Sequence, residues 1–244
     1  MKIALIGHGR MGQEIARLAE ERHIGIGAVF TSRTMNEGAA ITPSSLHGVD
    51  MVIDFSSPAI VVQSIEAVAA AGVNMVVGTT GWHDRIEHVK RVIADSNTGF
   101  LYSPNFSLGV NIFTRIVAEA TRLFDRYPGY DVALREAHHA GKADSPSGTA
   151  LALAATILRS GSRKTELLTG SPAGAVKPQQ LQVSSMRAGH LTGRHDVVFD
   201  SEADTIELIH TARNRTGFAL GALVAAEWLS GKKGFFTMQD VVAP

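Results

Sequence analysis

The chain has 244 residues, more than one ordinary domain needs and fewer than two full ones, and its 45% hydrophobic content is enough to bury a proper core, which sets disorder aside. Lys and Arg number 23 and Asp and Glu 23, so net charge is zero, whereas a general nucleic-acid or anionic-membrane binder carries a basic excess. The absence of cysteine excludes disulfides, thiolate zinc sites and a cysteine nucleophile, and fits a cytoplasmic protein. No window approaches ~18 uninterrupted apolar residues, so no membrane span is expected. The opening Lys2-Ile3-Ala4-Leu5-Ile6 reads as a strand, not as a signal peptide.

Short apolar runs predict strands at 3–6, 25–30, 51–55, 73–77 and 99–102. Helical patterns lie between most of them, at 11–22, 59–71 and 84–96. That alternation predicts an α/β domain with a Rossmann-like, doubly wound parallel sheet. From 110 to 124 the pattern is one long amphipathic helix. Next come a strand at 131–134, a helix at 150–159, and strands near 181–186, 196–199 and 205–210. This part reads as a second, α+β domain with an open mixed or largely antiparallel sheet. Residues 160–180, rich in Gly and Pro, read as a long mobile loop. An apolar helix at 218–229 is expected to return to the first domain. The expected division is 1–107 with 215–244 for dinucleotide binding, and 108–214 for substrate binding and oligomerisation.

Gly7-His8-Gly9-Arg10-Met11-Gly12 matches G-x-G-x-x-G between the first strand and its helix. Gly7 permits a tight turn, Gly9 lets the backbone approach a pyrophosphate, and Gly12 lets helix and strand pack closely. The helix N-terminus offers amide groups and positive dipole to the phosphates. An NAD enzyme places an acid after the second strand to bind the ribose 2′-hydroxyl. Here Thr31-Ser32-Arg33 follows instead, two hydroxyls and a guanidinium suited to a 2′-phosphate. NADPH and/or NADH is therefore expected, with NADPH favoured. Gly78-Thr79-Thr80-Gly81 and Ser103-Pro104-Asn105-Phe106-Ser107 follow the fourth and fifth strands, at the edge where such sheets bind ligands.

The densest chemistry is Glu136-Ala137-His138-His139-Ala140-Gly141-Lys142-Ala143-Asp144-Ser145-Pro146-Ser147-Gly148-Thr149-Ala150. Its histidines can donate protons or bind anions near neutral pH. Lys142 adds fixed charge. Ser145-Pro146 is a candidate N-cap and N1 pair, followed by amides at Ser147, Gly148 and Thr149 able to receive a carboxylate. The segment is a candidate pocket for a small dianion beside a proton donor. Adjacent histidines on a strand point to opposite faces, so no metal site is expected. The bland alternative is an exposed loop with incidental histidines.

This segment carries every fixed position of E-x-H-H-x-x-K-x-D-x-P-S-G-T-A, and on it the chain resembles the dihydrodipicolinate reductase family. Arg10-Met11-Gly12, Val77-Gly78-Thr79-Thr80-Gly81, Asn105-Phe106-Ser107-Leu108-Gly109-Val110-Asn111, Arg187-Ala188-Gly189, Gly193-Arg194-His195, His210-Thr211-Ala212 and Arg215 extend the resemblance over essentially the whole chain. Two departures bear on cofactor preference: the glycine turn is one residue shorter than in many members, and Thr31 stands where members that use NADH well often carry an acid. The resemblance implies NAD(P)H-dependent reduction of 4-hydroxy-tetrahydrodipicolinate to tetrahydrodipicolinate, with loss of water, in lysine and diaminopimelate biosynthesis. It implies His138 as proton donor, assisted by Lys142, and His139, Lys142, Gly148 and Thr149 as carboxylate binders. It implies Arg215 on the cofactor side, domain closure over the substrate, and a homotetramer built through the second domain's sheet. Two rival readings stand against it. A semialdehyde dehydrogenase of the phosphorylating kind needs a cysteine nucleophile, and an amino-acid dehydrogenase lacks the fifteen-residue segment. A nucleotide sensor has no use for His138 and Lys142 together.

Overall fold

The computed structural model describes residues 1–36 and 40–243. The chain opens with β1 (Lys2–Ile6), α1 (Arg10–Glu21), β2 (Gly25–Phe30), α2 (Ser32–Asn36), β3 (Met51–Asp54), α3 (Val61–Ala70), β4 (Asn74–Val77), α4 (Ile86–Ser96) and β5 (Gly99–Tyr102). It continues with α5 (Leu108–Phe124), β6 (Asp131–His138), α6 (Gly148–Ser160), β7 (Glu166–Thr169), β8 (Gln180–Arg187), β9 (Arg194–Asp200) and β10 (Thr205–Thr211). It closes with α7 (Thr216–Leu229), β11 (Gly234–Thr237) and α8 (Met238–Val241). Two compact units result: Met1–Asn111 with the chain from Arg215 on, and Ile112–Asn214.

The first unit is built on a parallel sheet in the order β11-β5-β4-β3-β1-β2. Every residue of β3, β4 and β5 is buried, which is why these strands read as unbroken apolar runs. Ile15, Leu18 and Ala19 of α1 and Ala222, Leu223 and Ala226 of α7 pack on one face. Val61, Ile65 and Val68 of α3 and Val89 and Ile93 of α4 pack on the other. The Rossmann-like expectation is met, and α7 returns to this unit as expected.

The sixth strand, β11, was not foreseen. Four residues are too few to show a period, and the strand exists through its pairing with β5, from Gly234 opposite Gly99 to Thr237 opposite Tyr102. The short α2 was also missed. Its start is closed by a local device: the Thr34 amide donates to the Thr31 hydroxyl at 3.1 Å, and the Thr31 amide to the Thr34 hydroxyl at 2.9 Å.

In the second unit the sheet order is β10-β9-β6-β8-β7. β10/β9 and β9/β6 are antiparallel, β6/β8 and β8/β7 parallel, so the sheet is evenly mixed and not largely antiparallel. Phe113 and Val117 of α5 and Leu153, Ala154 and Ile157 of α6 pack against Val132, Leu134, Val183, Val197 and Phe199. Three local expectations are corrected. Residues 160–180 are not one long loop: β7 lies inside them and pairs with β8, which satisfies backbone that a loop would leave to water. The N-cap of α6 is Ser147, whose hydroxyl accepts from the Ala150 amide at 3.2 Å, and not Ser145. The strand expected to stop at Leu134 runs on to His138.

Helix α7 is pressed onto the chain that follows β5. A Cβ added to Gly221 would lie 1.7 Å from the Phe106 carbonyl oxygen, a backbone atom that cannot step aside alone. Gly221→Ala should therefore lower unfolding stability by about 1–3 kcal/mol, the usual cost of overpacking. A urea midpoint equal to that of the parent chain would contradict this packing.

Candidate active site

Three turns line the carboxyl edge of the first unit's sheet, after β1, β4 and β5. Gly7 has φ +90, and a Cβ there would lie 2.3 Å from the Phe55 carbonyl oxygen, so only glycine fits. A Cβ on Gly12 would lie 2.2 Å from the Gly7 carbonyl oxygen, which is the close helix–strand approach expected of it. Gly9 is different. It is the N-cap of α1, provides no side-chain cap, and a Cβ there would meet nothing within 4 Å. A helix start with open space before it fits a pyrophosphate. His8, Arg10, Ser32, Arg33, Thr80, Pro104 and Arg215 are exposed, Met11 is half-buried, and the Thr31 hydroxyl is spent on capping α2.

Beneath the Gly78–Gly81 turn lies an acid that sequence reasoning passed over. Asp54, the last residue of β3, is fully buried. Its Oδ1 accepts from the Thr79 hydroxyl at 2.5 Å, the Ser56 hydroxyl at 2.8 Å and the Ser56 amide at 3.0 Å. Trp82 Nε1 donates to the Thr79 carbonyl at 2.7 Å. Burial pushes the Asp54 carboxyl up, and the hydrogen bonds from Thr79 and Ser56 offset part of that rise. After β5, Ser103 Oγ donates to the Asn105 carbonyl at 2.8 Å, Asn105 Oδ1 accepts from the Ser107 amide at 2.9 Å, and the Phe106 ring meets Phe55 edge-on at 5.6 Å.

The second unit gathers its chemistry on one face of one sheet. Along β6 the even positions Val132 and Leu134 face the helices, and Glu136 and His138 continue the same stripe. In the register, Glu136 lies opposite His195 of β9, and His138 opposite Arg187 of β8. Glu136 Oε2 pairs with His138 Nδ1. Its Oε1 accepts from Arg187 Nη2 at 2.8 Å and from the Ser147 amide at 3.3 Å. The Ser147 hydroxyl lies 3.2 Å from His195 Nε2, and the His138 and His195 rings meet edge-on at 5.3 Å. Arg187 also donates to the Asp144 carbonyl at 2.6 Å. The Asp144 carboxylate holds Lys142 Nζ at 2.7 Å and accepts from the Gly148 amide, so it sits on two groups expected to bind a substrate carboxylate.

His139 stands apart from this cluster. It lies beyond the strand end, exposed, with Gly141 beside its ring. Gly148 and Thr149 open α6. Glu136, Arg187 and His195 were visible in the sequence but had no role. Their signal was the period-2 stripe, hidden because β6 was ended at Leu134. Glu136, His138 and His195 offer ligand atoms within 4.8 Å of one another, a spacing compatible with a metal ion. Both Glu136 oxygens are already engaged, however, one by a guanidinium that would repel a dication.

Burial would raise the Glu136 carboxyl, but Arg187 and His138 overturn that and hold it at about 2. Burial, helped by the charge of His138, lowers His195 to about 4. His195 is therefore neutral at pH 7 and no proton source there. Both folded values lie below the unfolded ones of 6.5 and 4.5, so the unfolded chain takes up protons first. Stability should fall as pH drops from about 6.5 to 4 through His195, and further towards 2 through Glu136. The His195 share is on the order of 3 kcal/mol. Urea midpoints of His195→Gln should decline less steeply than the parent's between pH 6.5 and 4, and parallel declines would refute the assignment.

A parallel sheet with a glycine turn at its carboxyl edge, joined to a unit that holds a histidine–carboxylate pair, is the layout of a dinucleotide-dependent oxidoreductase. The N-terminal family model described as "Dihydrodipicolinate reductase, N-terminus" matches residues 1–106, and its C-terminal counterpart matches 109–242. A 4-hydroxy-tetrahydrodipicolinate reductase of Christiangramia forsetii is 37% identical over 243 residues, covering 100% of this chain and 98% of that one. One of Myxococcus xanthus is 40% identical over 199 residues, covering 79% and 72%. The dipicolinate-bound dihydrodipicolinate reductase of Paenisporosarcina sp. TG-14 shares the fold, with a TM-score of 0.76 at 21% identity and 99% of each chain covered. The chain belongs to the dihydrodipicolinate reductase family.

Proposed function

We infer that the chain reduces 4-hydroxy-tetrahydrodipicolinate to tetrahydrodipicolinate, a step of lysine and diaminopimelate biosynthesis, with NAD(P)H as reductant. The carrying observation is the joined cluster of His138, Glu136, Arg187, Asp144 and Lys142 in a member of this family. The bound nicotinamide supplies a hydride. The substrate hydroxyl leaves as water, and one proton is consumed overall. His138 donates that proton. Lys142, released from Asp144 by the incoming dianion, assists it and holds a carboxylate with the Gly148 and Thr149 amides and His139. On the cofactor side, Gly7–Gly12 take the pyrophosphate, and Gly78, Thr79, Thr80 and the Ser103–Phe106 segment line the nicotinamide ribose, with Arg215 nearby.

NADPH is the favoured cofactor. The support is the lack of an acid after β2 and the exposed Ser32 and Arg33 at that point. A homotetramer is supported by Met186 and Ile209, 54% and 45% exposed on the sheet face that α5 and α6 leave open. Among the described residues no helix is long and apolar enough to cross a membrane, and a cytoplasmic location fits an enzyme that consumes reduced nicotinamide.

The test is spectrophotometric. Purified protein should oxidise NADPH or NADH only when the fresh product of a dihydrodipicolinate synthase is supplied. No substrate-dependent oxidation with either cofactor would sink the reading. In the same assay His138→Gln should lower kcat about 10²–10⁴-fold, the usual worth of a general acid. Lys142→Ala should lower kcat and raise KM. Arg33→Ala should raise the KM for NADPH more than that for NADH, and equal losses would remove Arg33 from the 2′-phosphate.

A further inference from the structure

The function above gives Glu136 no chemical role of its own, yet it is the most enclosed charge of the cluster, its side chain wholly out of water. A carboxylate costs several kcal/mol to bury unless its charge is answered. Here the answer comes from a guanidinium, Arg187 on Oε1, and an imidazole, His138 on Oε2. The His138 contact is to Nδ1. The other ring nitrogen, Nε2, points towards Gly193, where an added Cβ would lie only 3.1 Å away. Gly193 has φ +117, a conformation side chains avoid, so that position is kept clear twice over, by backbone shape and by space.

We propose that Glu136 is the positioning residue of the proton donor: its carboxylate grips His138 through Nδ1, leaving Nε2 to deliver the proton, while Arg187 locks the carboxylate from its other oxygen. This rests on the reading of His138 as donor. The pairing selects the form of the ring that can act. With Nδ1–H held by a carboxylate, the charged ring carries its second proton on Nε2, and once that is given up the neutral ring is left with the proton on Nδ1. An amide at 136 can instead donate to Nδ1, which favours the neutral ring with its proton on Nε2, a far weaker acid. The same Oε1 holds the Ser147 amide, so the donor and the start of α6 share one anchor.

Among the described residues, these charged and titratable groups face His138. Glu136 is on its own strand, Arg187 on β8 and His195 on β9, with His210 across from His195 on β10. Lys142 and Asp144 follow in the next loop. Of these, Glu136 and Arg187 have opposite charge, and that makes their removal distinguishable from damage to the fold. Losing the carboxylate destabilises the charged ring, whereas losing the guanidinium leaves the carboxylate free to favour it.

The experiment compares rate–pH profiles of the full-length protein with those of Glu136→Gln, Arg187→Gln, His138→Gln and the Glu136→Gln/His138→Gln double variant. Binding of pyridine-2,6-dicarboxylate, measured by calorimetry, reports whether each variant keeps a folded site. Glu136→Gln should move the descending limb about 1–3 pH units to acid, the span of a direct charge contact. Arg187→Gln should move it the opposite way. In the His138→Gln background, Glu136→Gln should cost less than about 3-fold further in kcat, because a residue acting through another loses its effect when that one is gone. Limbs that stay put, or that move together, overturn the proposal, as does an equal kcat loss with and without His138. If Glu136→Gln binds no dicarboxylate, the Arg187→Gln limb alone decides. A His138→Gln enzyme with unchanged kcat would instead refute the donor assignment beneath it.

Discussion

A carboxylate removed from water must have its charge answered on the spot, and in the second unit that demand falls on Glu136. Its partners come from three places: a neighbouring position on its own strand, the parallel strand β8, and the residue that caps α6. All three must arrive in register or the charge is left stranded, a loss of several kcal/mol. Through Arg187 the same demand reaches Asp144, and through Asp144 it reaches Lys142. His138, Lys142 and the start of α6 are thus one mechanical assembly.

Asp54 and Glu136 are both buried acids, and they titrate in opposite directions. The partners of Asp54 are hydroxyls and an amide, which carry no charge, so the cost of burial prevails and its carboxyl rises. The partners of Glu136 include a guanidinium and an imidazole, so the ionised form prevails and its carboxyl falls to about 2. The difference suits their places. Asp54 holds the turn after β4 together at the carboxyl edge of the sheet. Glu136 holds a fixed negative charge against the His138 ring.

The first unit was largely legible because its strands are buried on both faces and its glycines are steric necessities. An apolar run between helical patterns has few other readings, and Gly7, pressed against the Phe55 carbonyl, leaves no alternative residue. What escaped there, β11, α2 and α8, are elements of four or five residues that exist through a neighbour or a local cap. In the second unit the strands are half-buried and mixed in direction, so neither their order nor the strand inside 160–180 could be read from pattern.

By itself the sequence determined the class of the sheet, the glycine turn after β1, and the fifteen residues that hold His138 and Lys142, because these are local patterns whose meaning lies in spacing along the chain. The tertiary structure alone decided which of those residues meet. Register across β6, β8 and β9 put Arg187 and His195 beside Glu136, although both stand more than fifty positions away along the chain. The same register turned His138 towards them and left His139, its neighbour in sequence, in solvent. The reason is the pleat: successive residues of a strand face opposite ways, so adjacency in the chain separates side chains that pairing across strands brings together.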